Sequence, residues 1–515
     1  MKQLLTKSQA EVERCWPSIE KLAPCQDACP LNVDIPGYVM AIARGDFNKA
    51  SSIIKERAPF PAILSRVCHH PCEDVCTRAK IDEPLAIRSL KRFVIDHTAK
   101  ATAKSSAPSK KASRVKVAVI GSGPAGLAAA HDLVMLGYPV TIYEALPVVG
   151  GMLTLGIPEF VLPREILQAE LGTIQDLGVE IRTNTPIGKD VTLDNLFQQG
   201  YKAVFLAAGA QESLKLNIPG IDSAGVFYAL ALLEDVNTGK KVKFTGKVAI
   251  IGGGNVAVDC ARIAIRSGAT EVNLTCLESR GQMPAFPWEI ERAEEEGVKV
   301  HASLAPQEII ARDGKVARID LTRVKSIEFD ADGRIRPILV EGAGTALDTD
   351  AVIVAIGQAP DLSFLDGAKN LQVSKKRSIE VDPDTLTTSL PGVFAGGDIV
   401  NVATVAEAMA DGKKAAISID RYLRGIDLKK GRLPQAKQIV DVELEKIPRF
   451  VEHRERSQMP ALPIGQRVAS FKEVELGLAQ EVAINEAKRC LNCPVCGNCI
   501  LGRAQMCYET ASRLL

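Results

Sequence analysis

No stretch of this 515-residue chain stays apolar for the roughly 18 residues that a membrane helix requires. The start, Met1 to Cys15, has no hydrophobic centre of the kind a secretory signal carries. Charge of one sign is missing too. The 63 Lys and Arg are balanced by 62 Asp and Glu, intermixed, and the net charge of +1 offers no general field for nucleic acid or a membrane surface. The expectation is a large cytoplasmic protein with no membrane span and no nucleic-acid partner. With 46% hydrophobic residues it can bury two or more cores, and at ~150 residues per domain its length suggests about three.

Cysteine is nearly absent from the middle of the chain. Of 13, only Cys260 and Cys276 lie between Cys76 and Cys490. The rest crowd the two ends: Cys15, Cys25, Cys29, Cys68, Cys72 and Cys76 at one, Cys490, Cys493, Cys496, Cys499 and Cys507 at the other. Disulfides explain such clusters poorly in a long cytosolic chain, and metal ligation explains them better. Cys25-x3-Cys29-Pro30 and Cys68-x3-Cys72-x3-Cys76 flank helix-like sequence, and spacing by four can turn several thiolates toward one centre. Zinc is the alternative. Zinc sites favour paired C-x2-C units, whereas Cys followed by Pro suits an iron–sulfur cluster.

The chain is organised around Lys116 to Glu144. An apolar run, Val117 to Ile120, leads into Gly121-x-Gly123-x-x-Gly126, then a helical run to Leu136 and a second strand ending on Glu144. In such a βαβ fingerprint the first glycine permits the turn, the second admits a pyrophosphate and the third lets helix and sheet pack. Ser122, Pro124 and Ala125 fill the same loop. Glu144, followed by Ala145, stands 23 positions after Gly121, where a carboxylate can accept ribose hydroxyls. Further on, Gly150-Gly151-Met152 can let backbone approach a flavin ring. The run Ala203 to Ala210 ends in Ala208 and Gly209, small enough for a cofactor to lie against.

A second fingerprint begins at Lys247. Gly252-Gly253-Gly254-Asn255-Val256-Ala257 follows a strand and opens a helix, and Glu278-Ser279-Arg280 comes 26 positions after Gly252. Two dinucleotide sites in one chain allow a resident flavin to exchange hydride with a diffusible nicotinamide. The chain is then expected to return to the first domain. Ala351 to Asp361 reads as a buried strand ending at Gly357. Gly392 to Ile399 carries Gly397-Asp398, for a ribityl hydroxyl, ahead of a helix opening at Thr404-Val405.

In this order the two fingerprints, the Cys-Pro element, RVC-x3-C-x3-C, IPEF-x-LPRE, GGGN-x-A-x-D and AGGD resemble the glutamate synthase small-subunit family. That family includes the flavin region of dihydropyrimidine dehydrogenase and the large subunit of NADH-dependent ferredoxin:NADP oxidoreductase. The resemblance implies FAD on the first fingerprint and NAD(P)H on the second. It also implies an amino-terminal helical domain whose two [4Fe-4S] clusters relay electrons to a partner. Carried over by position, Gly121, Ser122, Gly123, Ala125, Glu144, Gly151, Met152, Gly209, Gly397, Asp398 and Thr404 match FAD residues. Gly252, Gly254, Asn255, Ala257 and Glu278 match the nicotinamide dinucleotide, and Cys25, Cys29, Cys68, Cys72 and Cys76 match cluster cysteines.

The chain departs from the family at three places. The Arg-Cys-x2-Cys pair that the family sets before Cys25 is found instead at Cys490 and Cys493. The resemblance therefore implies one cluster shared between the ends, held by Cys25, Cys76, Cys490 and Cys493, and a second on Cys29, Cys68 and Cys72. Cys496, Cys499 and Cys507 are left for a third centre or a partner contact, and a self-contained carboxy-terminal cluster is the competing reading. The fourth ligand of the second cluster is left open, because the family often takes a carboxylate or amide near Lys91, and a protonated lysine has no lone pair to give. Leu277 and Glu278 replace adjacent arginines typical of NADP-dependent members, so NAD(H) is expected over NADP(H), with only Arg280 basic.

The expected architecture is α/β, with two Rossmann-like domains, a helical iron–sulfur domain and a cysteine-rich tail. The expected segments are a helical iron–sulfur domain at 1–97, a linker at 98–114 and an FAD domain in two parts at 115–240 and 351–430. An NAD(P) domain at 241–350 and an arm with the cysteine-rich tail at 431–515 complete the chain. The expected function is electron transfer: hydride between NAD(P)H and FAD, then single electrons through iron–sulfur clusters to a ferredoxin or larger catalytic subunit. No acid–base catalytic residue is named, because direct hydride transfer needs none. The alternatives are a non-catalytic subunit of a redox complex and, with less behind it, a dithiol–disulfide reductase, which would want a redox C-x2-C beside the flavin where the chain has only Cys260 and Cys276, 16 residues apart.

Overall fold

The computed structural model describes residues 21–99, 113–189, 191–330, 335–365, 370–375, 377–430, 438–439 and 451–493. Cys15, most of the 98–114 linker, and Cys496, Cys499 and Cys507 lie outside the described residues. Those described form two compact units. One takes residues up to 105, 429–461 and from 475 on; the other takes 106–428 and 462–474.

The first unit is helical. Helix α1 (Ile35–Ala43) opens at Asp34, whose carboxylate accepts the Gly37 N–H at 2.9 Å, and carries Pro36 where no donor is needed. Helices α2 (Phe47–Lys55), α3 (Pro61–Val67) and α4 (Ile87–Ala99) follow, burying Tyr38, Ile42, Ile54, Phe60, Leu64, Leu90 and Val94. A late segment, Gln480–Ala487, forms another helix packed on α1 and α4 through Ala483 and Ala487. Buried charge locks it there. Arg88 donates to both Glu475 carboxylate oxygens, at 2.9 and 2.6 Å, and Arg489 joins Glu486 at 2.7 Å to Asp82 at 2.8 Å. Removing one member of such a pair strands a desolvated charge, which costs about 3–5 kcal/mol.

The second unit holds two parallel sheets. Its elements are β1 (Lys116–Ile120), α5 (Pro124–Met135), β2 (Val140–Tyr143), β3 (Glu180–Arg182), β4 (Tyr201–Leu206), β5 (Val226–Tyr228), β6 (Lys247–Ile251), α6 (Asn255–Arg266), β7 (Glu271–Thr275) and β8 (Lys299–His301). An antiparallel sheet of β9 (Leu304–Arg312), β10 (Lys315–Phe329) and β11 (Ile335–Asp348) comes next, then β12 (Ala351–Val354), β13 (Val393–Ala395) and α7 (Val405–Leu423). The first sheet runs β13-β4-β1-β2-β3 and the second β8-β7-β6-β12-β5. Strands such as KVAVI and KVAII bury every residue after the leading lysine, as a strand covered on both faces must.

Two strands correct the expected boundaries. Ala351–Val354, read as the return to the first domain, pairs Val352 with both Ala249 and Val226 and so belongs to the second sheet, as does Val226–Tyr228. A short apolar run looks the same in either sheet, and only pairing assigns it. The return comes at β13, where Val393 pairs with Val204. The arm is also more structured than expected. Residues 462–474 include the helix Ile464–Val468 and pack within the second unit, with Arg467 on Glu295 at 2.7 Å and the Val474 N–H on the Phe160 carbonyl at 3.0 Å.

Candidate functional site

A cavity of about 590 Å³ opens in the second unit, at the carboxyl ends of the first sheet's strands. That volume is within the ~300–1,000 Å³ usual for cofactor sites. Gly121, Ser122, Gly123, Pro124, Ala125, Glu144, Ala145, Gly151, Met152, Ala208, Gly209, Gly397, Asp398, Thr404 and Val405 all line it. Gly126 stands behind the wall: a Cβ there would lie 2.0 Å from the Gly121 carbonyl oxygen, so the glycine serves packing. We expect Gly126→Ala to reduce the FAD retained per chain about tenfold by forcing the loop outward. The flavin absorbance of purified protein with unchanged helix content measures this.

The residues fit a dinucleotide. At Gly123 and Gly209 a Cβ would meet nothing within 4 Å, so both leave cavity space that a side chain would fill. Gly123 is the N-cap of α5 and offers no capping side chain, leaving the helix's first N–H groups for an anion. Glu144 is buried at the end of β2. Its Oε2 accepts the Ser122 N–H and hydroxyl and its Oε1 the Leu146 N–H, which leaves one acceptor position on Oε1 for a ribose hydroxyl. Asp398 accepts the Ala403 N–H at 3.2 Å, and burial pushes its carboxyl up to about 6. The helix cap is Thr404, in a reciprocal box with Glu407, so Asp398 is spared that duty.

Several lining residues were given no site role by the sequence: Ile157 and Asp259, although they stand in the motifs IPEF-x-LPRE and GGGN-x-A-x-D, and Thr185, Lys189, Asp361 and Phe364. Val256, expected at the second dinucleotide, also lines this cavity. Gly357 does not line it, although its neighbour Gln358 does; Gly357 instead sits at φ +115° and accepts the Leu214 N–H at 3.0 Å.

The second fingerprint is built alike. Gly252, at φ +144°, would place a Cβ 2.1 Å from the Ala355 carbonyl oxygen, and Gly254 caps α6 without a side chain. The Asn255 carboxamide oxygen accepts the Phe286 N–H at 2.9 Å, tying the helix start to the following loop. Glu278 holds its Oε2 2.8 Å from where a Gly253 Cβ would be, so its carboxylate overhangs the glycine loop. Ser279 and Arg280 are exposed, and Arg280 pairs with Glu294 at 2.6 Å. Ala257 is buried in the packing face of α6.

In the first unit, Cys25, Cys76, Cys490 and Cys493 line one small pocket with Pro24, Pro36 and Leu85. Burial, then the charges of Cys490, Cys76 and Cys493, drive the Cys25 thiol far up, a cost that bound iron would remove by stabilising thiolates. N–H donors are in place: Leu85 N points at the Cys76 Sγ and Asn492 N at the Cys490 Sγ, at 3.5 and 3.4 Å. Cys29, Cys68 and Cys72 form a second group, in which burial and then Cys68, Glu73 and Cys29 raise the Cys72 thiol while Lys91 opposes them. Tyr38, fully buried, feels the charge of Cys72, Cys25 and Cys29 together. Among the described residues no three side chains converge as a single-ion site.

Cys260 and Cys276 do not make a redox pair. Both are free and buried, and burial drives the Cys260 thiol far up and the Cys276 thiol up to about 12, which suppresses the thiolate that disulfide chemistry requires.

Residues 115–412 match the family described as pyridine nucleotide-disulphide oxidoreductase, and residues 2–103 match dihydropyrimidine dehydrogenase domain II, 4Fe-4S cluster. The glutamate synthase [NADPH] small chain of Escherichia coli K12 is 32% identical over 444 residues, which cover 81% of this chain and 92% of that one. The chain belongs to the glutamate synthase small-subunit family. Within that family it is 44% identical to the NADP(+)-dependent formate dehydrogenase subunit beta of Moorella thermoacetica, over 93% of this chain and 71% of the other. It is 36% identical to the NADPH-Fe(3+) oxidoreductase subunit beta of Geobacter sulfurreducens, over 92% and 75%. FprA of Mycobacterium tuberculosis, solved with NADPH, shares the fold at TM-score 0.51 and 20% identity, over 60% of this chain and 85% of that one. The chain is thus an FAD and pyridine-nucleotide oxidoreductase of this family with a 4Fe-4S domain. The relatives' names speak of NADP(+) and NADPH, and so give no support to the expected preference for NAD(H). No helix among the described residues is long and apolar enough to cross a membrane.

Proposed function

We propose that this chain is the electron-transfer subunit of a larger redox complex, taking hydride from NAD(P)H and passing single electrons through two [4Fe-4S] clusters to a partner subunit. The observation that carries the reading is the joint presence, in one chain, of a dinucleotide cavity and a pocket lined by four cysteines. FAD, when bound, supplies the exchange between paired and single electrons. The protein's own part is positional. Glu144 and the α5 N-terminus hold the dinucleotide ends, Asp398 and the α7 N-terminus face the flavin, and Gly254 with Glu278 holds the nicotinamide dinucleotide.

In this reading Cys25, Cys76, Cys490 and Cys493 ligate one cluster, and Cys29, Cys68 and Cys72 hold three irons of the second. Relatives named as subunits of formate dehydrogenase and glutamate synthase support a larger catalytic subunit as the partner, ahead of a ferredoxin. Cysteines kept as thiolate ligands rather than disulfides suit a reducing compartment, the cytoplasm. Anaerobic titration of the purified holoprotein with NADH or NADPH tests the function. The flavin should bleach stoichiometrically, and a one-electron dye should then be reduced. Bleaching without dye reduction would favour a non-catalytic subunit, and no bleaching by either coenzyme would overturn the reading.

A further inference from the structure

Four carboxyl groups line the flavin cavity: Glu144, Asp259, Asp361 and Asp398. Three are engaged by backbone donors. Glu144 accepts from Ser122 and Leu146, Asp361 from Ser363 at 2.9 Å, and Asp398 from Ala403. Among the described residues nothing donates a hydrogen bond to the Asp259 carboxyl. It lies on α6 one turn after Val256, which also lines the cavity, and on the same helix whose N-terminus at Gly254 serves the second dinucleotide. Asp259 therefore belongs to a helix that reaches both sites.

Its neighbours explain why it stays unpaired. The next turns of α6 place Arg262 and Arg266 against the Phe160 ring, at 4.6 and 4.1 Å. Both guanidiniums are committed elsewhere. Arg262 donates to Glu296 at 2.9 and 3.1 Å and to Glu289 at 3.2 Å, and Arg266 donates to Glu296 at 2.6 and 3.0 Å. The charged groups facing Asp259 are therefore two arginines already neutralised and two glutamates.

We propose that Asp259 is the proton carrier of the flavin cavity, taking up the proton that nicotinamide oxidation leaves behind. The proposal rests on the functional reading above. NAD(P)H gives up two electrons and one proton to become NAD(P)+. The electrons leave singly through iron–sulfur centres, which carry no proton, so one proton per nicotinamide stays in the cavity. The Asp259 carboxylate takes it, becoming COOH, and returns it to water. In the reverse direction the same group supplies it.

The electrostatics suit that task. Burial and then Glu289 push the carboxyl up to about 8, against the pull of Arg262 and Arg266, and Glu296 adds repulsion. A carrier whose pKa is near the working pH populates both forms and can accept and release in turn.

Asp259→Asn keeps the shape and removes the titration. In the holoprotein, single-turnover bleaching of the flavin by NAD(P)H should stay within about twofold, since hydride transfer needs no base. Steady-state dye reduction should fall about tenfold and lose its inflection near pH 8, which Asp259→Glu should restore. Independently of activity, the reduced-minus-oxidised infrared spectrum of the wild type should show a protonated-carboxyl C=O band that Asp259→Asn lacks and Asp259→Glu shifts. An unchanged pH profile in Asp259→Asn overturns the proposal. If that variant fails to load FAD, the wild-type and Asp259→Glu spectra decide, and a band absent from the wild type or unmoved in Asp259→Glu overturns it. Failure of wild type and variant alike to bleach would instead count against the functional reading.

Discussion

Replacing Cys490 with serine should remove about four iron and four sulfide per FAD, and replacing Cys25 should remove the same set. Both cysteines line one pocket, although 465 positions separate them in the sequence. The double variant should be no worse than either single one, because a cluster already lost cannot be lost again. FAD content should hold, since the flavin cavity is built only from residues of the second unit. Iron, sulfide and flavin analysis, with the electron paramagnetic resonance of the reduced protein, measures all three. Additive losses, one cluster for each site, would show a self-contained tail cluster and remove the shared site. The buried ion pairs of the tail support a shared site. Arg78 donates to the Arg489 carbonyl at 3.1 Å and Arg489 pairs with Asp82, so the residue before Cys490 is held on the segment that follows Cys76.

Glu278→Arg should shift the ratio of kcat/KM for NADPH over NADH upward by about thirtyfold or more. The Glu278 carboxylate overhangs Gly253, where an adenine ribose would present its 2′ position. A carboxylate there accepts a hydroxyl and repels a phosphate, and reversing its charge is worth about 2–5 kcal/mol, of which 1.4 kcal/mol is tenfold. Arg280 works in the opposite sense. It is exposed and paired with Glu294, so it can exchange that partner for a 2′-phosphate at little cost, and Arg280→Ala should lower NADPH use selectively. The NADP-linked names of the relatives give that test its weight. A ratio that moves by less than about threefold in both variants would show that neither residue reads the 2′ position.

Much of the site was legible because it depends on local backbone geometry. Gly121 and Gly252 are required where a Cβ would strike a carbonyl within 2.4 Å, and such positions announce themselves as motifs. The capping residue Thr404 and the acid Glu144 stand at offsets set by one turn of helix and one strand. Thr185 and Phe364 were not legible, since each reaches the cavity from an element that folds over it from elsewhere in the chain, and Asp259 was legible as a motif residue of the second fingerprint but not as a wall of the first cavity.

By itself the sequence determined the two βαβ units, the glycine loops, the cysteine-rich ends and the family, because periodicity, turn chemistry and motif order are properties of neighbouring residues. The tertiary structure alone decided that β5 and β12 join the second sheet, that residues 462–474 pack on the flavoprotein unit, and that Cys490 and Cys493 share a pocket with Cys25 and Cys76. Those outcomes depend on pairing and burial between distant segments. An apolar tetrapeptide or a Cys-x2-Cys reads the same whatever it finally packs against, so its partner is chosen by the whole fold.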